Sequence, residues 1–192
     1  MRRRTRTDDG TMPSVQRPGD AVAAELLDVV DASNQVIGVA TRGDVHAHGW
    51  WHRAVHIVIE DGAGRMYLQR RAENKDCDPG LWDTAAAGHV DHGEEYLSAA
   101  LRELGEELAL HDVQLERVGA LPASAATGYE FVQVYRGRAT REPQPNTEEI
   151  ATGGWWTVHD IAAWLARSPQ QFTATFGLLF VRFCAPTAAV RP

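Results

Sequence analysis

Apolar and polar positions alternate, or gather in short β-branched blocks, over the first third of the chain after residue 24, which is the period of strands. Glu25–Asp31 (ELLDVVD) and Gln35–Thr41 (QVIGVAT) flank the turn Ala32-Ser33-Asn34 and predict two paired strands. His52–Glu60 (HRAVHIVIE) is a further β-branched run, reversed by Asp61-Gly62-Ala63-Gly64 into the returning strand Arg65–Arg70. Leu81–Ala87 leads into a segment where the period changes. Over Glu94–Ala109, Leu97, Leu101, Leu104 and Leu108 fall in a stripe roughly 60° wide at 100° per residue, predicting a helix whose leucines pack on a sheet. Val113–Pro122 and Phe131–Arg138 predict two more strands, Trp155-Trp156 ends a short one, and His159–Arg167 is helical. Phe172–Phe183 is apolar almost all round, as in a buried C-terminal helix. Strands in long runs with two or three helices make an α+β domain, an α/β/α sandwich with a mixed sheet.

Composition narrows this little. With 192 residues and 44 % hydrophobic content the chain can bury one core. Residues 1–20 are rich in proline, glycine and polar groups, with no apolar stretch behind their basic start, so a disordered tail is expected rather than a secretion signal. Residues 21–192 are expected to form a single domain. No apolar run reaches membrane-spanning length. Cys77 and Cys184 have no metal-binding spacing, and reduced thiols suit a cytoplasmic protein. A net charge of −7 argues against a general nucleic-acid surface while leaving room for a local basic pocket, and nothing in the sequence sets an oligomeric state.

The chemistry lies on the far side of the leucine helix. Glu103, Glu106 and Glu107 occupy an arc of roughly 100° there and would repel one another. A hard cation relieves such repulsion, and Mg²⁺ keeps waters that substrate phosphates can replace. An arbitrary E-x-x-E-E is usually a solvated acidic face. Here the surrounding pattern carries more information.

The stretch Gly88–Leu110, GHVDHGEEYLSAALRELGEELAL, resembles the Nudix box, G-x5-E-x7-R-E-U-x-E-E-x-G-U, where U is aliphatic. Eight of nine defined positions match, and the ninth, a glycine in the family, is Ala109. A left-handed residue is costly without glycine, so the helix is expected to run on a residue or two towards His111. The resemblance implies the Nudix fold and hydrolysis of a diphosphate linkage in a small-molecule substrate, a nucleoside diphosphate or its derivative. It also implies that Glu103, Glu106 and Glu107, with the carbonyl of Gly88, hold Mg²⁺, for which Mn²⁺ can substitute. Glu94 is then paired with Arg102. The water's proton goes to a glutamate of the box, Glu106 or Glu107, or to one of a later loop, Glu148 or Glu149.

Residues 50–95 further resemble the branch related to isopentenyl-diphosphate isomerase. In those enzymes a cysteine precedes the box glycine and moves protons at carbon; here Ala87 stands in its place. His89, Glu130 and His52 match positions of the isomerase metal site, with His46 off by one in spacing, which implies a second site of the Zn²⁺ or Mn²⁺ kind. The alternative is that His52 and His56 are strand residues bonded to neighbours. Arg71 and Lys75 match diphosphate-contacting positions, and Lys75 is the sole lysine beside eighteen arginines. Trp50, Trp51 and Tyr129 could stack on a base, while Phe131 reads as core. Two other functions stay open: an isomerase-like enzyme, which Ala87 opposes, and a non-catalytic nucleotide sensor, which the intact box glutamates oppose.

Overall fold

The computed structural model describes residues 25–185; the tail expected over residues 1–20 lies outside them. Leu26–Val30 (β1) and Val36–Thr41 (β2) form the expected hairpin as a separate two-stranded sheet. Its turn works because Asp31 Oδ1 accepts the N–H groups of Ser33 and Gln35 while Asn34 takes a left-handed conformation. A helix that the hydrophobic pattern does not predict follows at once, Arg42–His48 (α1). Thr41 caps it by accepting the N–H of Asp44, and Gly49 ends it at φ 63°.

The main sheet is built from His52–Glu60 (β3), Arg65–Arg71 (β4), Trp82–Asp83 (β5), Ala86–His89 (β6), Leu115–Leu121 (β7), Glu130–Arg138 (β8) and Ile150–Thr157 (β9). Its path is β5-β4-β3-β8-β7, with β6 added to β3 and β9 to β4. The β3–β8 pairing is parallel and the others are antiparallel, so the sheet is mixed as expected. Tyr96–Leu108 (α2) covers one face. Val158–Arg167 (α3) and Ala174–Leu179 (α4) cover the other. The alternation of β3 divides the core accordingly. Val55, Ile57 and Ile59 pack with Leu104 and Leu108, whereas Ala54 and Val58 pack with Ile161, Phe176 and Leu179. This is the α/β/α sandwich. No helix among the described residues is long and apolar enough to cross a membrane.

Three expectations need correction. The leucines of α2 do not make one buried stripe, since Leu97 and Leu101 are 45 % and 41 % exposed. Helix and sheet approach instead through Ala99 and Ala100, with Leu104 and Leu108 behind them, and small side chains allow the close contact. Nor does α2 run on towards His111: it stops at Leu108, and Ala109 adopts the left-handed cap itself at φ 55°, ψ 27°. Buried Leu110, whose N–H bonds to Leu104 O, draws the chain inward and offsets the strain. Finally, the C-terminal segment is apolar and buried on one side only. Phe172, Phe176 and Phe180 stack along the core, while Leu178 and Val181 face solvent and the helix ends in a wider π-turn over Phe180–Cys184.

Candidate active site

Strand β6 separates two clusters. It pairs with β3 as Ala54↔His89, Val55↔Gly88 and His56↔Ala87, so its successive residues face opposite sides of the sheet. Gly88 faces α2, and a β-carbon there would overlap the carboxylate of Glu103, so any larger residue would push that carboxylate away from the strand. Arg102 ties the helix to this strand. Its guanidinium donates to Glu94 at 2.9 and 3.2 Å, to the carbonyl of His89 at 3.0 Å and to Glu103 at 2.6 Å. The expected Glu94–Arg102 pair is therefore present, and Arg102 also reaches Glu106 at 3.5 Å.

Glu107 is buried and accepts the side-chain amide of Gln69 at 2.7 Å. Burial, then the charge of Glu103, pushes its carboxyl well above the usual range. Glu103 is raised as well, by burial foremost, although Arg102 pulls it back. Glu106 is exposed at the rim. The backbone N–H of Asn146 donates to the carbonyl of Glu107 at 2.8 Å, which brings the loop bearing Glu149 to the end of α2. There Glu149 is ion-paired with Lys75. Buried Glu107 and largely buried Glu103, which burial and a neighbouring carboxylate (Glu103 for Glu107, Glu106 for Glu103) drive towards protonation, are a donor set that a hard divalent cation fits, with Glu106 at its open side.

On the opposite side of β6, His46, His52, His89 and Glu130 place one ligand atom each within 4.8 Å of one another. α1 delivers His46, whose Nε2 lies 3.2 Å from His89 Nε2; that is close to the spacing of about 3.4 Å implied by neighbouring imidazoles on one tetrahedral ion. Glu130 lies beside His52 because β3 and β8 pair there in parallel. His52 Nδ1 is bonded to the carbonyl of Trp50 at 2.9 Å, leaving Nε2 buried without a hydrogen-bond partner. His89 Nδ1 lies 3.6 Å from Glu25. These outer contacts turn the free nitrogens inward, as in transition-metal sites, and the orphaned Nε2 of His52 fits that use. His52 is thus not satisfied by its neighbours alone. Despite burial, Glu130 and Glu25 raise His89 to about 9, whereas burial and the charge of His89 lower His46 to about 4. Glu130 is held well below the usual carboxylate range: burial opposes this, but His52 and His89 outweigh it.

A cavity of about 490 Å³ opens beside this cluster, lined among others by Ala87, His89, Arg71 and Tyr129. Arg71 Nε donates to the carbonyl of Cys77 at 3.1 Å. Among the aromatic candidates, Tyr129 is half exposed at the cavity, Trp50 stacks on His48, and Trp51 meets Phe131 edge-on. Phe131 is partly rather than fully buried. Residue spacing locates His46 only loosely and gives no sign of Glu25 or Gln69, whereas the T-x-x-D cap Thr41–Asp44 is a local signal for the helix that carries His46.

A mixed sheet thus lies between helices, with a glutamate helix set against a glycine of its short inner strand. The family model described as NUDIX domain matches residues 50–176, and the chain belongs to the Nudix family. An isopentenyl-diphosphate Delta-isomerase of Serratia proteamaculans is 35 % identical over 157 residues, covering 79 % of this chain and 87 % of that protein. An "uncharacterized Nudix hydrolase" of Yersinia pestis is 42 % identical over 147 residues, covering 74 % and 79 %. The crystal structure of DR0079 from Deinococcus radiodurans superposes with a TM-score of 0.75 at 25 % identity, covering 83 % of this chain and 99 % of that one. The chain therefore resembles the isomerase branch while carrying Ala87 in place of its cysteine.

Proposed function

We propose that the protein is a Mg²⁺-dependent hydrolase that cleaves a diphosphate linkage in a nucleoside diphosphate or nucleoside diphosphate derivative. The observation that carries this reading is the juxtaposition of buried Glu107 with the largely buried Glu103, whose close cation is Arg102, both set beside Gly88 on a helix that Arg102 and Glu94 brace. A divalent ion held there supplies charge neutralisation for phosphate oxygens and a water of lowered pKa. Glu103, Glu106 and Glu107, with the carbonyl of Gly88, would hold it. Arg102 and Glu94 keep α2 in register with β6. Arg71 and Lys75 donate to the substrate's phosphate oxygens. Glu149, ion-paired with Lys75, would be freed to act as a general base if a phosphate drew Lys75 away, and Glu106 and Glu107 are the other candidates for this role.

A second reading, isomerase-like carbon chemistry, is favoured by the likeness to the isomerases and by the histidine cluster, and opposed by Ala87, whose methyl group cannot shuttle a proton. Both are tested by incubating the purified full chain with nucleoside diphosphates, their derivatives and isopentenyl diphosphate, under Mg²⁺ and Mn²⁺ in turn. We expect phosphate or nucleoside monophosphate to be released. Migration of the isopentenyl double bond would favour the second reading, and the absence of any product would leave a nucleotide-binding module.

A further inference from the structure

His56 and Asp83 stand outside both proposed ligand sets. Their side chains are 6 % and 4 % exposed, and His56 Nδ1 lies 3.4 Å from Asp83 Oδ1. The protons around them follow from their partners. The hydroxyl of Thr84 donates to the carbonyl of Ala86 at 3.1 Å, so at 3.1 Å from His56 Nδ1 its oxygen accepts. Asp83 Oδ1 also takes the backbone N–H of Thr84 at 2.7 Å and faces the same ring nitrogen. Nδ1 therefore carries its proton in either charge state, and Nε2 is the variable position. Among the described residues no protein group is bonded to Nε2, and the ring lines the 490 Å³ cavity. Its cross-strand partner is Ala87, the position where the isomerase branch carries its cysteine. Asp83, Glu130 and Arg71 are the charged groups acting on the ring. Burial opposes its protonation, Asp83 and then Glu130 outweigh that, and His56 is raised from its ordinary value.

We propose that His56 is a specificity-determining residue whose Nε2 contacts the substrate, so that the cavity takes a diphosphate whose appended group presents a hydrogen-bonding oxygen. The shared chemistry is that of a sugar oxygen or a further phosphate oxygen, as against a hydrocarbon chain. The inference rests on the diphosphate reading above. A hydrocarbon in the cavity would seal Nε2 and the His56–Asp83 pair from water without offering a partner, and a buried polar group left unmatched costs more than a matched one contributes. Asp83 and Thr84 position the ring, and His56 alone makes the contact.

Calorimetric titration of the full chain in Mg²⁺ tests this with three probes: inorganic pyrophosphate, α,β-methylene-ADP and isopentenyl diphosphate. The native protein is expected to bind α,β-methylene-ADP at least about tenfold more tightly than isopentenyl diphosphate, because a site built to hydrogen-bond rejects an analogue that cannot. His56→Leu should weaken α,β-methylene-ADP by about tenfold or more, strengthen isopentenyl diphosphate and leave pyrophosphate within about twofold. His56→Gln, which keeps a donor and an acceptor, should restore the native preference. Because His56→Leu strands Asp83 in the interior, His56→Leu/Asp83→Asn is measured beside it, with melting curves to show that both fold. An absent native preference, or one unchanged in the double variant, overturns the inference. Failure of the native protein to bind pyrophosphate overturns the diphosphate reading and, with it, this inference.

Discussion

His46 and His89 are close neighbours held at opposite ends of the histidine range. His46 is lowered from 6.5 to about 4 by burial and by the charge of His89, so it adds stability above pH 6.5 and loses it as the pH falls towards 4. His89 is raised from 6.5 to about 9, with burial opposing and Glu130 and Glu25 prevailing, so its stability is present below pH 6.5 and lost as the pH rises towards 9. Chelator-treated protein should therefore melt highest between these limits. His46→Asn should flatten the acid limb and His89→Asn the alkaline one, as followed by thermal melts across that range. Identical profiles for the three proteins would refute the assignment. Glu107 makes a complementary case. Glu107→Gln removes a buried charge but keeps the shape that meets Gln69, so its melting temperature should match or exceed that of the native chain.

At the scale of elements, α2 and β6 depend on two small residues. Ala109 holds a left-handed cap without the freedom of glycine, so Ala109→Gly should stabilise the protein by about 1 kcal/mol in denaturant melts. A loss of stability would mean that the cap is not strained. Gly88→Ala would force the Glu103 carboxylate off β6 and should destabilise by about 1–3 kcal/mol while weakening Mg²⁺ binding in calorimetry. The spacing of the box made α2 legible, because helical period and carboxylate positions are local. Which arc of α2 is buried was not legible: close approach through Ala99 and Ala100 decided it, and that is a property of the sheet opposite. The seven-residue α1 escaped for another reason. It is too short for a hydrophobic period, and only its Thr41–Asp44 cap marks it. It nonetheless brings His46 to His52 and His89.

For the whole molecule, β6 serves both clusters at once: Gly88 faces the glutamates, and Ala87 and His89 face the cavity and the histidines. The sequence showed both residue sets but not that one strand divides them, since that depends on the β3–β6 register. The central claim is that the carboxylates of α2 hold a metal ion for diphosphate hydrolysis. Its most direct test is the turnover of native protein and Glu107→Gln on the same set of nucleoside diphosphates and derivatives in Mg²⁺. The native chain should release phosphate or monophosphate, and the variant, equally folded, should be slower by at least about a hundredfold. Equal turnover in the two proteins, or no product from any of these compounds with the native chain, would contradict the account.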